Sequence, residues 1–294
     1  MMNALPDSTA SPHPRLAFIG GGNMAQAIIT GCLASKTLSA ERIVVAEPDL
    51  SRHGALSLTG VTAVPSASEA VRWLHYHEAK HPDEPPGQIL LAVKPQMLAP
   101  VASEVAAASE AGRRVVISIL AGTPSAKVRS ALGAAFAVVR AMPNTPAKIG
   151  KGVTALSLGA GALAGDELLA RRLFRGIGPL VIDCDESLMD AFTAVGGSGP
   201  AYVFYLAEAM IAAAIELGFA RETADQVVRA TIAGAALLLL DDQLSPAELR
   251  AAVTSKGGTT AAATRVLDDS LVQQAIRQAI RAARDRGIEL SRSV

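Results

Sequence analysis

The stretch that most restricts the fold is "LAFIGGGNMA", residues 16–25. A short, continuous apolar run meets three glycines and passes straight into a helical pattern. Continuous rather than alternating hydrophobicity suits a parallel strand covered on both faces. The glycines fit G-x-G-x-x-A, with Gly20, Gly22 and Ala25 at the key positions. Gly20 permits a tight turn, Gly22 lets a pyrophosphate approach the backbone, and Ala25 allows close helix–strand packing. The helix that opens at Asn23 and Met24 then offers free N–H groups and a positive dipole end to phosphate. Between a strand and a helix, the motif reads as a dinucleotide site rather than a glycine turn without ligand.

The rest of the first half agrees. Apolar, mostly β-branched runs recur at 43–46, 61–64, 89–93, 115–120, 137–142, 153–158 and 180–183, with helical segments in most of the gaps. That is the pattern of an open α/β sheet. The second run ends at "AEPD" (46–49), and Glu47 stands where an acid usually binds the adenosine ribose hydroxyls. A carboxylate there should repel the extra phosphate of NADP, whereas Arg52 could neutralise it, so NAD and NADP both stay open. Two later strand ends face the same crevice, because ligands of open α/β sheets bind beyond the strand C-termini. "AVKP" brings Ala92, Lys94 and Pro95 there, and "AMPNTP" brings Asn144. Lys94 and Asn144 are candidate contacts to the nicotinamide ribose or amide.

After about Asp185 the strand pattern stops. Helices are expected from Pro200 to near Gly218, from Arg221 to Leu240, from the capping box "SPAE" (245–248), and after Thr259 and Ser270. The helix over 201–217 is apolar almost all round and needs cover on nearly every side. A partner subunit supplies that cover most simply, so at least a dimer is expected. Glu208 and Glu216 interrupt the apolar stretch, and a membrane span tolerates such carboxylates poorly. Zero formal net charge argues against nucleic acid or an anionic membrane as main partner. Cys32 and Cys184 have no metal-binding spacing and suit a reducing compartment. The first 14 residues lack the pattern of a signal peptide and read as a flexible tail, so a cytoplasmic protein is expected. "WLHYHEAKHPDEPPGQ" (73–88) holds His75, His77 and His81, yet its prolines make it a solvated surface excursion, and no metal is assigned.

"VTSKGGTT" (253–260) sets two glycines among hydroxyl residues at the start of a helix. The N–H groups around Gly257, Gly258, Thr259 and Thr260 can form an anion pocket. Ser255 can add a side-chain donor, and Thr260 can reach an atom beside a bound carboxylate, such as a ring nitrogen. A simple helix cap is the alternative. All five histidines lie at or before residue 81, so this half has no histidine to protonate a carbonyl. A protonated imine arrives already electrophilic and needs only hydride.

Taken together, "FIGGGNMAQAI", "AVKPQ", "RAMPNTPA", "GGSGPAYVFYLAEAM" and "VTSKGGTT" resemble the pyrroline-5-carboxylate reductases, over about residues 16–265. The resemblance implies an α/β fold with a Rossmann-like doubly wound sheet over 15–185 and an all-α dimerisation and substrate domain over 186–294. It implies reduction of 1-pyrroline-5-carboxylate to L-proline by NADPH or NADH, the last step of proline biosynthesis. It also implies homodimers, often assembled into homodecamers. The family's substrate loop falls on Ser255, Gly257, Gly258, Thr259 and Thr260, with Thr260 the catalytic candidate. Three features depart from the family. Lys256 stands where proline is frequent, Glu47 stands where a small residue is frequent, and the 73–88 excursion is longer than the usual connection. Two alternatives remain: a β-hydroxyacid dehydrogenase using Lys256, and a nucleotide-binding regulator without activity.

Overall fold

Each of the apolar runs named above becomes a strand, and all of them join one sheet. The computed structural model describes residues 13–240 and 243–293. The strands are β1 (Leu16–Ile19), β2 (Ile43–Ala46), β3 (Thr62–Val64), β4 (Gln88–Leu91), β5 (Arg114–Ser118), β6 (Phe136–Met142), β7 (Val153–Leu158) and β8 (Leu180–Asp183). Their order is β3-β2-β1-β4-β5-β6-β7-β8. Every neighbouring pair is parallel except β6 with β7. The connecting helices are α1 (Asn23–Ala34), α2 (His53–Ser57), α3 (Ala67–Lys80), α4 (Leu98–Ala108), α5 (Ser125–Leu132) and α6 (Leu168–Arg175).

The core lies on both faces of the sheet. Leu16 and Phe18 of β1 pack with Ile28 of α1 and Phe174 of α6. Ala17 and Ile19 point the other way, to Val71 and Leu74 of α3 and Val105 of α4. With both faces buried there is no polar side to alternate with, hence the unbroken apolar runs in the sequence.

The segment 73–88 is only in part the solvated excursion that its prolines suggest: residues 79–83 are exposed, but carboxylates on either side of them are clamped. α3 continues to Lys80, and the loop after it folds back under the N-terminal ends of the strands. Arg42 donates to both oxygens of Glu84, at 3.0 and 2.6 Å, and Arg15 lies 3.6 Å from the same carboxylate. Arg114 donates to both oxygens of Glu78, at 2.8 and 3.0 Å, and to the Gly87 carbonyl at 2.6 Å. The physical reason is the cost of unpaired buried charge. Arginines at the starts of strands need carboxylates, and the acidic residues of this polar segment supply them. His13 belongs to the same edge, its carbonyl accepting from Arg42 at 2.7 Å. Residues 1–12 of the expected tail lie outside the described residues.

The remaining helices are α7 (Met189–Phe192), α8 (Gly199–Glu216), α9 (Arg221–Leu238), α10 (Pro246–Ala252), α11 (Thr259–Asp269) and α12 (Val272–Ser293). Two compact units divide the chain, one reaching Gly197 and including residues from Arg284 onward, the other spanning Ser198–Ala283. This division differs from a boundary at residue 185 in two places. Residues 186–197 pack on the sheet, where Glu186 accepts from the Ser125 N–H at 2.6 Å and pairs with buried Arg140 at 3.4 Å. The last turns of α12 also join the first unit, Leu290 beside Gly122 and Gly287 beside Asp190.

In the second unit, α8 and α9 pack on each other across the turn 217–220. Within the single chain no residue of α8 is buried, and Phe204 and Tyr205 are 60% and 76% exposed. Among the described residues the helical run Glu186–Glu216 is long and apolar enough to cross a membrane, with mean hydropathy 1.3. α10 opens on the expected capping box, Ser245 Oγ accepting from the Glu248 N–H at 3.3 Å and Glu248 Oε2 from the Ser245 N–H at 2.8 Å.

The Glu78–Arg114 clamp predicts a pH signature. Burial alone would raise the Glu78 carboxyl, but the hydrogen bond and charge of Arg114, with the Gly87 N–H, hold it below its ordinary 4.5. A carboxyl depressed in the folded state contributes stability above its unfolded value and loses it as pH falls through the folded value. Glu78→Gln should therefore cost about 2 kcal/mol at neutral pH, by leaving a buried guanidinium half-paired. In denaturant melts the gap to wild type should close well below pH 4.5. A gap independent of pH would exclude the ion pair as its source.

Candidate coenzyme and substrate sites

The strand order reverses between β1 and β4, whose C-terminal ends lie side by side. Ligands of doubly wound sheets enter at such a point. The Gly20 N–H donates to the Ala46 carbonyl at 2.9 Å and the Ala92 N–H to the Ile19 carbonyl at 2.8 Å. Gly20 sits at φ +101°, and a Cβ there would stand 2.7 Å from the Ala92 oxygen. Both facts demand glycine. Gly22 is different. Its extended backbone (φ −68°, ψ −178°) is open to any residue, and a Cβ there would meet nothing within 4 Å. It begins α1 without any side-chain cap. The N–H groups of Asn23, Met24 and Ala25 therefore lack intrahelical acceptors. Open space in front of an uncapped helix start, bounded by a glycine, fits a pyrophosphate.

Glu47 closes one side of this cradle. It is buried at the end of β2, with Oε2 accepting from the Gly21 N–H at 3.0 Å and Oε1 from the Asp49 N–H at 3.1 Å. Arg52 is half-exposed, with Nη1 3.8 Å from Glu47 and Nε 3.3 Å from Asp49. Gly21 and Asp49 were not singled out from the sequence; the second acid of "AEPD" was the available signal. Across the switch point, Ala92 and Pro95 are partly covered, and Lys94 is exposed at the turn after β4. Asn144 is already engaged. Its Nδ2 donates to the Gly196 carbonyl and its Oδ1 accepts from the Val153 N–H, both at 2.9 Å. It braces the end of β6, the start of β7 and the 193–197 turn, and one amide N–H remains for a ligand.

The second set of expected residues forms one turn between α10 and α11. Gly257 has φ +74°, and the Gly258 N–H donates to the Ser255 carbonyl at 3.0 Å. Gly258 begins α11 with no side-chain cap, so the N–H groups of Thr259, Thr260 and Ala261 lack intrahelical acceptors. A Cβ on Gly258 would lie 2.5 Å from Ser255 Oγ. Bare backbone is what lets that hydroxyl stand against the helix start. Thr260 is half-buried, and its hydroxyl has no protein partner among the described residues. Lys256 is exposed in the loop rather than mounted on a helix, so the dehydrogenase alternative lacks its catalytic lysine. The residues expected to hold the coenzyme all belong to the first compact unit and this loop to the second.

An open sheet of this order, with a glycine turn feeding an uncapped helix, defines a dinucleotide-binding protein of the Rossmann type. Comparison with known proteins narrows the class. Residues 186–290 match the family described as pyrroline-5-carboxylate reductase dimerisation, and residues 15–122 match one described as NADP oxidoreductase, coenzyme F420-dependent. The pyrroline-5-carboxylate reductase of Synechocystis is 37% identical over 278 residues, covering 95% of this chain and 98% of that protein. That of Pseudomonas aeruginosa is 37% identical over 279 residues, covering 95% and 97%. The structure of the Coxiella burnetii enzyme superposes with a TM-score of 0.83 at 33% identity, covering 95% of this chain and 99% of that one. That of the Plasmodium falciparum enzyme, solved with NADP bound, gives 0.81 at 24% identity, covering 96% and 100%. The chain belongs to the pyrroline-5-carboxylate reductase family.

The two glycines of the first turn should fail differently when replaced. A Cβ at Gly22 meets no protein atom within 4 Å, so Gly22→Val should fold normally while its side chain fills the proposed phosphate cradle. Coenzyme affinity should fall by at least about a hundredfold, the weight of lost contacts to a charged group. Gly20→Ala should instead lower the thermal midpoint. Wild-type coenzyme affinity in Gly22→Val would move the site elsewhere.

Proposed function

We propose that residues 15–185 hold the coenzyme, with its pyrophosphate on the N–H groups from Gly22 to Met24, and that 186–294 supply the substrate loop and the dimer interface. The chain reduces 1-pyrroline-5-carboxylate to L-proline with NAD(P)H, the last step of proline biosynthesis. The observation that carries the substrate half is the uncapped start of α11 at Gly258, with the Ser255 hydroxyl held against it. The open N–H groups of Thr259 and Thr260 take the substrate carboxylate, because the Gly258 N–H is already donated to the Ser255 carbonyl, and Ser255 adds a donor. When bound, the reduced coenzyme supplies the hydride. Thr260 orients the ring through its nitrogen, its hydroxyl donating to the lone pair that forms there as the positive charge disappears. That contact gains value in the transition state, so Thr260→Ala should lower kcat more than it raises KM. The loss should be about a hundredfold, typical of one positioned donor or acceptor, with Thr260→Ser retaining most activity. Ser255→Ala should act mainly on KM. The test is steady-state kinetics with the cyclic imine and both coenzymes. A normal kcat in Thr260→Ala would remove the hydroxyl from the reaction.

The protein works as a homo-oligomer in this reading, a dimer or a decamer built from dimers, in the cytoplasm. Support comes from α8, which packs on α9 but has no buried residue within one chain, and from the dimerisation family matched over 186–290. We assign that surface to a second copy rather than to lipid, because Glu208 sits mid-helix and Pro200 at its start. Ala213→Arg should then yield monomer or aggregate in light scattering. An unchanged dimer would place the interface elsewhere.

A further inference from the structure

Given the coenzyme site proposed above, we propose that Glu47 and Asp49 make it selective for NADH over NADPH, Glu47 by latching the phosphate loop beside the ribose position and Asp49 by withholding Arg52. The latch is visible in the hydrogen bonds. Both oxygens of the Glu47 carboxylate accept backbone N–H groups, from Gly21 at 3.0 Å and from Asp49 at 3.1 Å. Only 6% of the residue is exposed. A carboxylate held in this way by two charge-assisted bonds is not free to swing aside for a phosphate. Gly21 makes the contact possible, since a Cβ there would stand 3.1 Å from Glu47 Oε2 and 3.2 Å from a methyl of Leu56.

The cation that could reverse this preference is engaged. Arg52 Nε lies 3.3 Å from Asp49 Oδ2, and Nη1 lies 3.8 Å from Glu47 Oε2. Asp49 is itself pinned by Ser51, whose hydroxyl donates at 2.6 Å and whose N–H donates at 3.1 Å. These two bonds hold the Asp49 carboxyl below the usual carboxylate range, so it stays charged near neutral pH. The neighbouring His53 ring is turned to the Glu47 carbonyl, at 2.6 Å. Two carboxylates thus face one guanidinium where a 2′-phosphate would add further negative charge. Free ribose hydroxyls would meet acceptors instead. The Plasmodium falciparum relative carries NADP on the same fold. The fold therefore admits a 2′-phosphate, and in this proposal the side chains at the ribose position decide against it.

Direct titration of NADH and NADPH, read by nicotinamide fluorescence with no imine present, tests the proposal apart from the reaction. Wild type should bind NADH at least about tenfold more tightly than NADPH, the weight of one partly screened charge. Asp49→Asn releases Arg52 and should move the ratio toward NADPH by about tenfold. Glu47→Gln removes the charge while its amide oxygen still accepts from Gly21, and should move the ratio the same way. Glu47→Ser also loses the latch, and should bind NADH about tenfold more weakly than Glu47→Gln does. Equal or tighter binding of NADPH by wild type overturns the selectivity while leaving the coenzyme site intact. So does a ratio unmoved by Asp49→Asn, a half-exposed position where folding is not at stake. Equal NADH affinity in Glu47→Gln and Glu47→Ser overturns the latch. Failure of wild type to bind either coenzyme removes the coenzyme site itself.

Discussion

The passage of Gly20 over the Ala92 carbonyl is the contact on which the coenzyme half depends. A Cβ at Gly20 would stand 2.7 Å from that oxygen, so the chain turns from β1 into α1 only because the side chain is absent. The close approach keeps the ends of β1 and β4 adjacent and opens the crevice beside them. It also fixes where α1 begins, and with it the direction of the unpaired N–H groups. Glu47 from β2 then reaches the same loop from its other side. Three strand ends and one helix start are thus positioned by one unsubstituted carbon.

The two proposed anion sites use the same device in separate units. In each, a glycine with extended backbone stands where a capping side chain usually sits, and the first N–H groups of a helix are left for a ligand. Backbone dipoles do not titrate, and they cost no conformational entropy at the moment of binding. A chain with no net charge can therefore bind a dianionic pyrophosphate and a carboxylate without concentrating lysine or arginine at either place. Charged side chains are left for discrimination, as at Glu47, Asp49 and Arg52.

Much of this was legible in the sequence, for identifiable reasons. The strands read correctly because burial on both faces leaves an unbroken apolar run such as "IVVA". Gly20 as a turn glycine and Gly22 as the start of α1 read correctly because a tight strand-to-helix turn imposes a fixed spacing. Ser245 and Glu248 announce a helix start because the capping bonds are local. What could not be read was non-local pairing. Nothing near Glu78 or Glu84 says that Arg114 and Arg42, 36 and 42 residues away, need them. A polar, proline-rich segment looks the same whether it is solvated or clamped. The bracing role of Asn144 was likewise hidden, since its partners Val153 and Gly196 contribute only backbone atoms. The allegiance of the last turns of α12 was hidden too, because an amphipathic period shows that a helix has a packing face but not which neighbour takes it.

That last allegiance bears on how the chain is made. Gly122 and Leu290 touch in the folded protein, and Gly287 lies against Asp190, yet both Gly287 and Leu290 are synthesised after the whole of the unit 198–283. The sheet can assemble as soon as β8 emerges, because none of its strands comes from beyond Asp183. Its packing around Gly122 and Asp190 stays open until residues 287–290 have emerged. Domains tend to fold as units during synthesis, N-terminal first. Here the first unit to begin folding is also the last to be sealed, and the helical segment between must be fully synthesised before either is finished.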